Sequence, residues 1–492
     1  MQKQRVVVVG AGLGGLAAAI RCAVAGHPTT LIEARDQVGG KLNIIRDQGF
    51  VWDIGPSLLT MPWVIDDLLT QTGSSLAAEL DVVPLESACR YVWQDGTKFD
   101  AWTSFPAILK SIEQIEPGDV GNFLRFMTYA ERMWSLTADT FLYSVFRGWR
   151  SMLDWRILRD AWQLDGMRTM NRAVESFFVS PKLQQVMNRF ATYNGSSPYR
   201  TPATFNLIAW AEFGLGAYYP RGGMYRIAEV LHAAALRVGV DIRLDTPVAR
   251  IEHRKGRVVG VHTVRGDFVP ADAVISNVDP QVTLERLVDG GSKRARMLKR
   301  RELSCSGFVI LWGIDTRYDL LDHHTIFFSP DYRAEFADTD AGKLHPTPTI
   351  YINHTVQYDA NHAPPGGQNI FVLVNVPPAR NSTIDWSQIA ESYADQIATQ
   401  LEHYGLTDLR NHIITQKIIT PIDLERMYGA PGGAIYGLAS NTITSAFVRP
   451  TQQDATIKGL FYCGGGTHPG GGVPLALLSG KHAAQLVTQL HR

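Results

Sequence analysis

The sequence predicts an α/β fold in which a parallel-sheet unit is interleaved with a mixed-sheet and helical region. Three observations predict it. The chain opens on a β-branched run, a glycine-rich turn and an apolar helix. A strand-rich middle is followed by a long amphipathic helix, and a second strand, glycine loop and helix close the chain. At 492 residues the chain exceeds one ordinary core. No internal repeat or low-complexity linker divides it, so its domains are expected to interleave.

The first element is "RVVVV", residues 5 to 9, fit for a buried parallel strand. "GAGLGG" follows at once, then the helix-prone "LAAAIRCAVAG" and a second strand, "TTLIE". Gly10, Gly12 and Gly15 match GxGxxG, with Ala11, Leu13 and Gly14 filling the turn. The first glycine permits the tight turn, the second admits a pyrophosphate to the backbone, and the third lets helix pack on strand. The pyrophosphate then meets a helix N-terminus, whose free N–H groups favour negative charge. Glu33 ends the second strand about 20 residues on, where an acid accepts from a ribose diol. The unit is therefore of Rossmann type and binds a dinucleotide, NAD and FAD both remaining open.

Beyond Glu33, Ala34 and Arg35 come a Gly39-Gly40 pair, a cation at Lys41, and "DIGP" with Gly55 and Pro56. With these residues the sequence resembles the FAD-binding unit of glutathione-reductase-like flavoproteins, especially amine oxidases and phytoene desaturases. The resemblance implies FAD, with the second glycine pair and its cation near the pyrophosphate and flavin. Lys41 stands where that family usually carries Arg; it keeps the charge without the bidentate fork. "PRGG" from residue 220 leads into an amphipathic helix, a strand at "DIRL" and a hairpin turning at Lys255-Gly256. The resemblance places the Val248 backbone against adenine.

Residues 106 to 217 read as mostly helical and concentrate Trp134, Trp149, Trp155 and Trp162 among Phe141, Tyr143, Phe146, Arg147, Arg150, Arg156 and Arg159. Such a mixture suits core packing or a membrane interface, where rings straddle the boundary and Arg snorkels. An apolar substrate favours the interface. Next come the strands "GFVILWGI", "HTIFFS", "TIYINHT" and "NIFVLVNVPP", and a helix from about 386 to 404 with a glycine stop. "TPIDLERMYGAPGGAIYG", residues 420 to 437, resembles a stretch of carotenoid desaturases. "IKGLFYCGGGTHPGGGVPLALLSGKHAAQLV" resembles the closing signature of bacterial-type phytoene desaturases, through Thr467, His468, Pro469, Gly470, Gly472 and Gly480.

That resemblance implies a Rossmann-type FAD-binding domain interleaved with a mixed-sheet plus helical substrate domain. The FAD domain is expected over 1–105, 218–290 and 425–492, a helical segment suited to a membrane face over 106–217, and the substrate domain over 291–424. Gly464, Gly465, Gly472 and Val473 are expected to bring a helix N-terminus to the flavin edge, stabilising the anionic reduced ring. His468 reads either as acid or base or as a donor that orders the loop. The implied activity is FAD-dependent desaturation of a carotenoid such as phytoene or a later carotene. The same fold admits a 3,4-desaturase, a carotenoid oxidase or a cis-trans isomerase, and a non-enzymatic isoprenoid chaperone of Rab escort type. Oxygen or a quinone would accept the electrons.

Composition narrows the partners. Net charge is zero and the pI about 7.2, which removes the electrostatic footprint for nucleic acid. Cys22, Cys89, Cys305 and Cys463 form no CxxC pair, so neither a disulfide framework nor a thiolate metal site is expected, and a cytoplasmic compartment fits. Lys3 and Arg5 before an apolar run imitate a secretory signal, but Gly10, Gly12, Gly14 and Gly15 interrupt it. No apolar stretch reaches the roughly 18 to 20 residues that span a bilayer. Membrane contact is expected to be peripheral.

Overall fold

The structure, a computed structural model, describes residues 3–146, 148, 163–288, 293–442, 445 and 449–490. Its first sheet is parallel, with strands in the order Leu460–Tyr462, Ala273–Ser276, Val6–Val9, Thr29–Ile32 and Asp241–Arg243. Val6 pairs with Thr29 on one side and Ala273 on the other. The chain therefore leaves the central strand in both directions, and a crevice opens at the carboxyl ends where it does so.

Both faces of this sheet are covered, which is why its strands are apolar at successive positions. Helices Leu13–Val24, Arg226–Arg237 and Val473–Thr488 pack on one face through Val6, Val8, Leu31 and Ile275. On the other, Val7, Val9, Ile32 and Val274 meet the three-stranded antiparallel sheet of Val248–Arg254, Arg257–Thr263 and Phe268–Pro270. Lys255 and Gly256 make the expected hairpin turn with φ of 47° and 72°.

A second, seven-stranded sheet runs in the order Ile413–Ile419, Ser306–Ile314, Gln368–Val376, Ile350–Asn353, His324–Phe327, Ser87–Val92 and Lys98–Trp102. Side chains of Ser306–Ile314 alternate between its faces. Phe308, Ile310, Trp312 and Ile314 pack towards helix Trp386–His403, whereas Val309 and Leu311 join Phe50, Trp52 and Phe371 on the opposite face. Helices Phe105–Ile115, Asp119–Thr137, Met170–Phe177 and Pro181–Asn188 pack with Tyr91 and Phe99.

One expected boundary moves. Residues 87–102 fall in the stretch 1–105 expected to form part of the FAD-binding domain, yet Ser87–Val92 pairs in parallel with His324–Phe327 and belongs to the second sheet. Short strands of this kind gain their stability from a neighbour remote in sequence, and nothing local names that neighbour. Within the aromatic cluster, Phe141 and Phe146 are buried, while Trp134 and Tyr143 are partly buried against the helical core. Arg147, Trp149, Arg150, Trp155, Arg156, Arg159 and Trp162 lie outside the described residues.

The two ends of the chain meet at helix Leu13–Val24 and helix Val473–Thr488. A Cβ on Gly480 would stand 2.3 Å from the Gly14 carbonyl oxygen and 3.0 Å from Ala18 N. Backbone, which cannot yield cheaply, sets that limit. Gly480→Ala is expected to lower unfolding free energy by about 1–3 kcal/mol, the range for overpacked cores, as read by urea denaturation. An unchanged midpoint would show that the helices separate freely.

Candidate functional site

The crevice at the carboxyl ends of the parallel strands opens into a cavity of about 960 Å³, which runs past the C-terminal glycine loop onto the second sheet. Its first wall is the N-terminal turn. Gly10 has φ of 98° and donates to Ile32 O at 2.7 Å. Helix Leu13–Val24 starts just after, with no side-chain cap and no acid in its first turn, so its positive end stays uncompensated. A Cβ on Gly15 would stand 2.0 Å from the Gly10 carbonyl oxygen, the close packing of helix on strand that the motif requires.

Asn277 was not anticipated. It follows strand Ala273–Ser276, and its side chain would lie 2.6 Å from a Cβ on Gly12, 2.8 Å from one on Gly14 and 2.7 Å from one on Gly464. One amide thus buttresses both glycine loops. Its signal in the sequence was faint, a polar residue ending a β-branched run.

Glu33 is buried on the cavity wall. Its Oε2 accepts from Ala11 N at 2.6 Å and its Oε1 from Arg35 N at 3.0 Å. The carboxylate therefore holds the glycine turn, and each oxygen retains a further lone pair. Asp53, of "DIGP", accepts from Met224 N at 2.8 Å and Tyr225 N at 2.9 Å, which fixes the "PRGG" turn beneath the helix that follows. Burial pushes its carboxyl up to about 6.

Lys41 Nζ donates to the carbonyls of Ala434 at 3.1 Å and Ile435 at 2.8 Å. Lys41 lines the cavity, and desolvation there pushes its pKa down to about 8. Arg449, similarly lowered to about 10 by burial, donates to Tyr436 O at 3.1 Å and Leu438 O at 3.0 Å. Asp279 faces both cations, and burial raises its carboxyl. Neither Asp279 nor Arg449 stood out in the sequence, since each is a single charge in an unremarkable stretch.

The second loop carries Gly464, Gly470 and Gly472 at φ of 92°, 141° and 112°. Helix Val473–Thr488 begins there with Pro474 in its first turn, without a side-chain cap or an acid. Its bare end lines the cavity through Gly472, Val473 and Pro474. His468 Nε2 meets Phe141 O at 2.6 Å, and the ring stacks on Phe146 with centroids 4.7 Å apart. Burial, helped by nearby His482, pushes its pKa down to about 3. Such a ring is neutral and a poor proton acceptor at neutral pH, and its bonded nitrogen ties the loop to residues 138–142.

Most of the residues expected at the site line this one cavity: Gly10, Gly12, Leu13, Gly14, Glu33, Ala34, Arg35, Gly39, Gly40, Lys41, Gly55, Pro56, Val248, Gly464, Gly465, His468, Gly472 and Val473. Ala11 and Gly15 do not. Ala11 is turned inward, its N–H spent on Glu33, and Gly15 is pressed against Gly10. The donor set fits a dinucleotide: two bare helix ends, glycine loops without side chains in the way, and an acid held at the strand end. No group of residues able to hold a metal ion occurs among the described residues.

Comparisons with known proteins agree with this geometry. The model of the flavin containing amine oxidoreductases matches residues 13–488. A 4,4'-diapolycopene oxygenase of a Methylomonas species is 35% identical over 480 residues, 97% of each chain. A 1-hydroxycarotenoid 3,4-desaturase of a Flavobacterium species is 34% identical over 487 residues, 98% of this chain and 99% of its own. Among solved structures, an oxidoreductase from Methanosarcina mazei superposes with a TM-score of 0.66 at 18% identity, covering 99% of this chain and 100% of its own, and so shares the fold.

Two variants separate the roles of the wall residues. Glu33→Ala orphans two backbone donors and is expected to cost about 1–3 kcal/mol of stability and to weaken FAD retention, read by urea denaturation and by flavin content after gel filtration; native retention would refute a cofactor contact. His468→Gln, which keeps a donor, is expected to hold the rate of flavin reduction within about threefold, whereas a general base contributes about 100-fold or more. Stopped-flow reduction showing the larger loss at full flavin content would assign His468 to proton transfer.

Proposed function

The chain belongs to the flavin-containing amine oxidoreductase family and is an FAD-dependent oxidoreductase, and on that premise we propose that it desaturates a long apolar carotenoid. The observation that carries this reading is the continuity of one cavity from the glycine-rich turn, past the bare end of helix Val473–Thr488, to an apolar wall that includes Val309, Ile326, Phe371 and Leu373. A polyene fits such a wall because it offers area and no hydrogen bonds. The relatives at 35% and 34% identity are named for carotenoids.

When bound, FAD supplies the hydride acceptor for oxidation of a carbon–carbon single bond. The first glycine turn and its helix end would hold the pyrophosphate, Glu33 the adenosine ribose, and Val248 the adenine edge. Gly464, Gly465, Gly472 and Val473 would present backbone N–H groups and a positive helix end where negative charge develops on reduction. The substrate would give up a hydride to the bound cofactor and a proton from the adjacent carbon to water at the cavity mouth, and conjugation would spread the positive charge along the chain until that proton leaves. Oxygen or a membrane quinone takes up the electrons afterwards.

Oxygenation of a carotenoid terminus is the second reading, favoured by the name of the relative at 35% identity. An isoprenoid chaperone of Rab escort type falls away with membership of a redox family. The substrate dissolves only in lipid, so we place the protein on a membrane surface from one side. No helix among the described residues is long and apolar enough to cross a bilayer. Trp63, 40% exposed and donating to Tyr143 at 3.2 Å, borders the tryptophan-rich segment and suits that contact.

Anaerobic incubation of the FAD-loaded protein with carotenes in liposomes tests the reading. Phytoene, neurosporene or a hydroxylated carotene is expected to bleach the flavin band, and the liposomes are expected to carry the protein down on sedimentation. Absence of bleaching with every carotene would remove the desaturase assignment; protein left in the supernatant would remove the membrane assignment alone.

A further inference from the structure

The cavity wall carries a cation for which the described residues supply no ion-pair partner. Arg189 starts the short helix Arg189–Asn194, and its partly accessible side chain lines the cavity. Of the five guanidinium donors, one is engaged, by Thr192 Oγ1. The guanidinium carbon stands 5.2 Å from the ring centroid of Tyr193 and 6.0 Å from that of Tyr351. No carboxylate among the described residues forms a salt bridge with it. Two buried acids feel its charge without reaching it, and Glu212 keeps one oxygen, Oε1, without a hydrogen-bond partner. Glu212 accepts from the Tyr193 hydroxyl. Glu335 accepts from Thr349 N at 3.0 Å and Thr349 Oγ1 at 2.6 Å.

More polar groups gather on the same wall. The Tyr351 hydroxyl lies 2.5 Å from Ser57 Oγ and 2.7 Å from His324 Nδ1. His324 Nδ1 also meets Asn353 Nδ2, a donor, at 3.2 Å. A neutral ring accepting at Nδ1 bears its proton on Nε2, and Nε2 has no partner. Ser57, Tyr193, His324 and Tyr351 all line the cavity with Arg189.

Tyr351 and Ser57 satisfy each other and His324, but a purely hydrocarbon chain would leave the remaining guanidinium N–H groups and His324 Nε2 stranded, which is costly in an enclosed site. An acceptor oxygen satisfies them. We propose that Arg189, with Tyr351, Ser57 and His324 beside it, forms a subsite for an oxygen-bearing end of the isoprenoid chain, a hydroxyl or carbonyl whose oxygen accepts from the guanidinium. This rests on the carotenoid reading above and deepens it: the preferred substrate is an already oxygenated carotenoid, so a hydroxylating, hydrating or carbonyl-forming reaction must precede this one. The rest of the chain lies along the apolar wall, and the subsite sets which end enters first.

The test uses the FAD-loaded protein and three carotenoids of one carbon skeleton, ending in hydrocarbon, hydroxyl or aldehyde. Binding is read anaerobically from the shift of the flavin spectrum. The wild type is expected to bind an oxygenated chain at least about tenfold more tightly than the hydrocarbon, the scale of one hydrogen bond to a charged donor. Arg189→Met is expected to abolish that ratio at unchanged flavin content, by weakening the oxygenated chains and tightening the hydrocarbon that no longer strands a cation, and Arg189→Lys to restore part of it. If Arg189→Met does not retain flavin, Tyr351→Phe, which removes one hydroxyl, is expected to reduce the ratio. Equal binding of all three carotenoids by the wild type, or a ratio unmoved in the variants, overturns the subsite and leaves the carotenoid reading standing. Binding of none overturns both.

Discussion

The close approach of helix Val473–Thr488 to helix Leu13–Val24 is the constraint on which the rest depends. Gly480 faces the Gly14 carbonyl with no room for a side chain, and Gly14 in turn faces the backbone of Gly464. Both glycine loops are thereby set at one end of the parallel sheet, with Asn277 wedged between them. Each loop leads into a helix whose first turn is uncapped and free of acids. Two positive helix ends therefore face one cavity, an arrangement suited to a ligand with a charged tail and a head that gains negative charge.

The enclosed charges follow from that placement. Lys41 and Arg449 spend their donors on backbone carbonyls of residues 434–438, and Asp279 provides the countercharge. Burial lowers both cations, so their charge is held at some cost and stabilised chiefly by these carbonyls. They clamp the segment that returns the chain from the second sheet to the first. Arg189 differs in kind: its donors open into the cavity instead of closing a loop, and that contrast marks it as ligand-directed. His468 belongs with the clamps, because its Nε2 and its stacked ring bind the glycine loop to residues 141 and 146.

Legibility in the sequence followed the range of the interaction. The N-terminal turn, the hairpin at Lys255-Gly256, the strands between 306 and 376 and the helix stopped by Gly405 all express local rules of periodicity and turn chemistry, and the structure bears them out. The pairing of Ser87–Val92 with His324–Phe327 was illegible, because it joins segments more than 200 residues apart with no local mark of partnership. The same holds for Asn277, Asp279, Arg449 and Arg189. Each is an ordinary polar residue until the fold encloses it.

By itself, then, the sequence determined the class of fold, the glycine-rich turn after the first strand and the glycine loop that closes the chain, since a strained turn or a missing Cβ leaves its trace in residue type. Tertiary structure alone decided what those pieces surround. The functions of Glu33 as anchor of the turn, of His468 as a tie between elements and of Arg189 as a cation without an ion pair are properties of distance, burial and missing partners. Such properties exist only once remote segments have been packed against one another, because the energy of a charge depends on what surrounds it and not on its place in the chain.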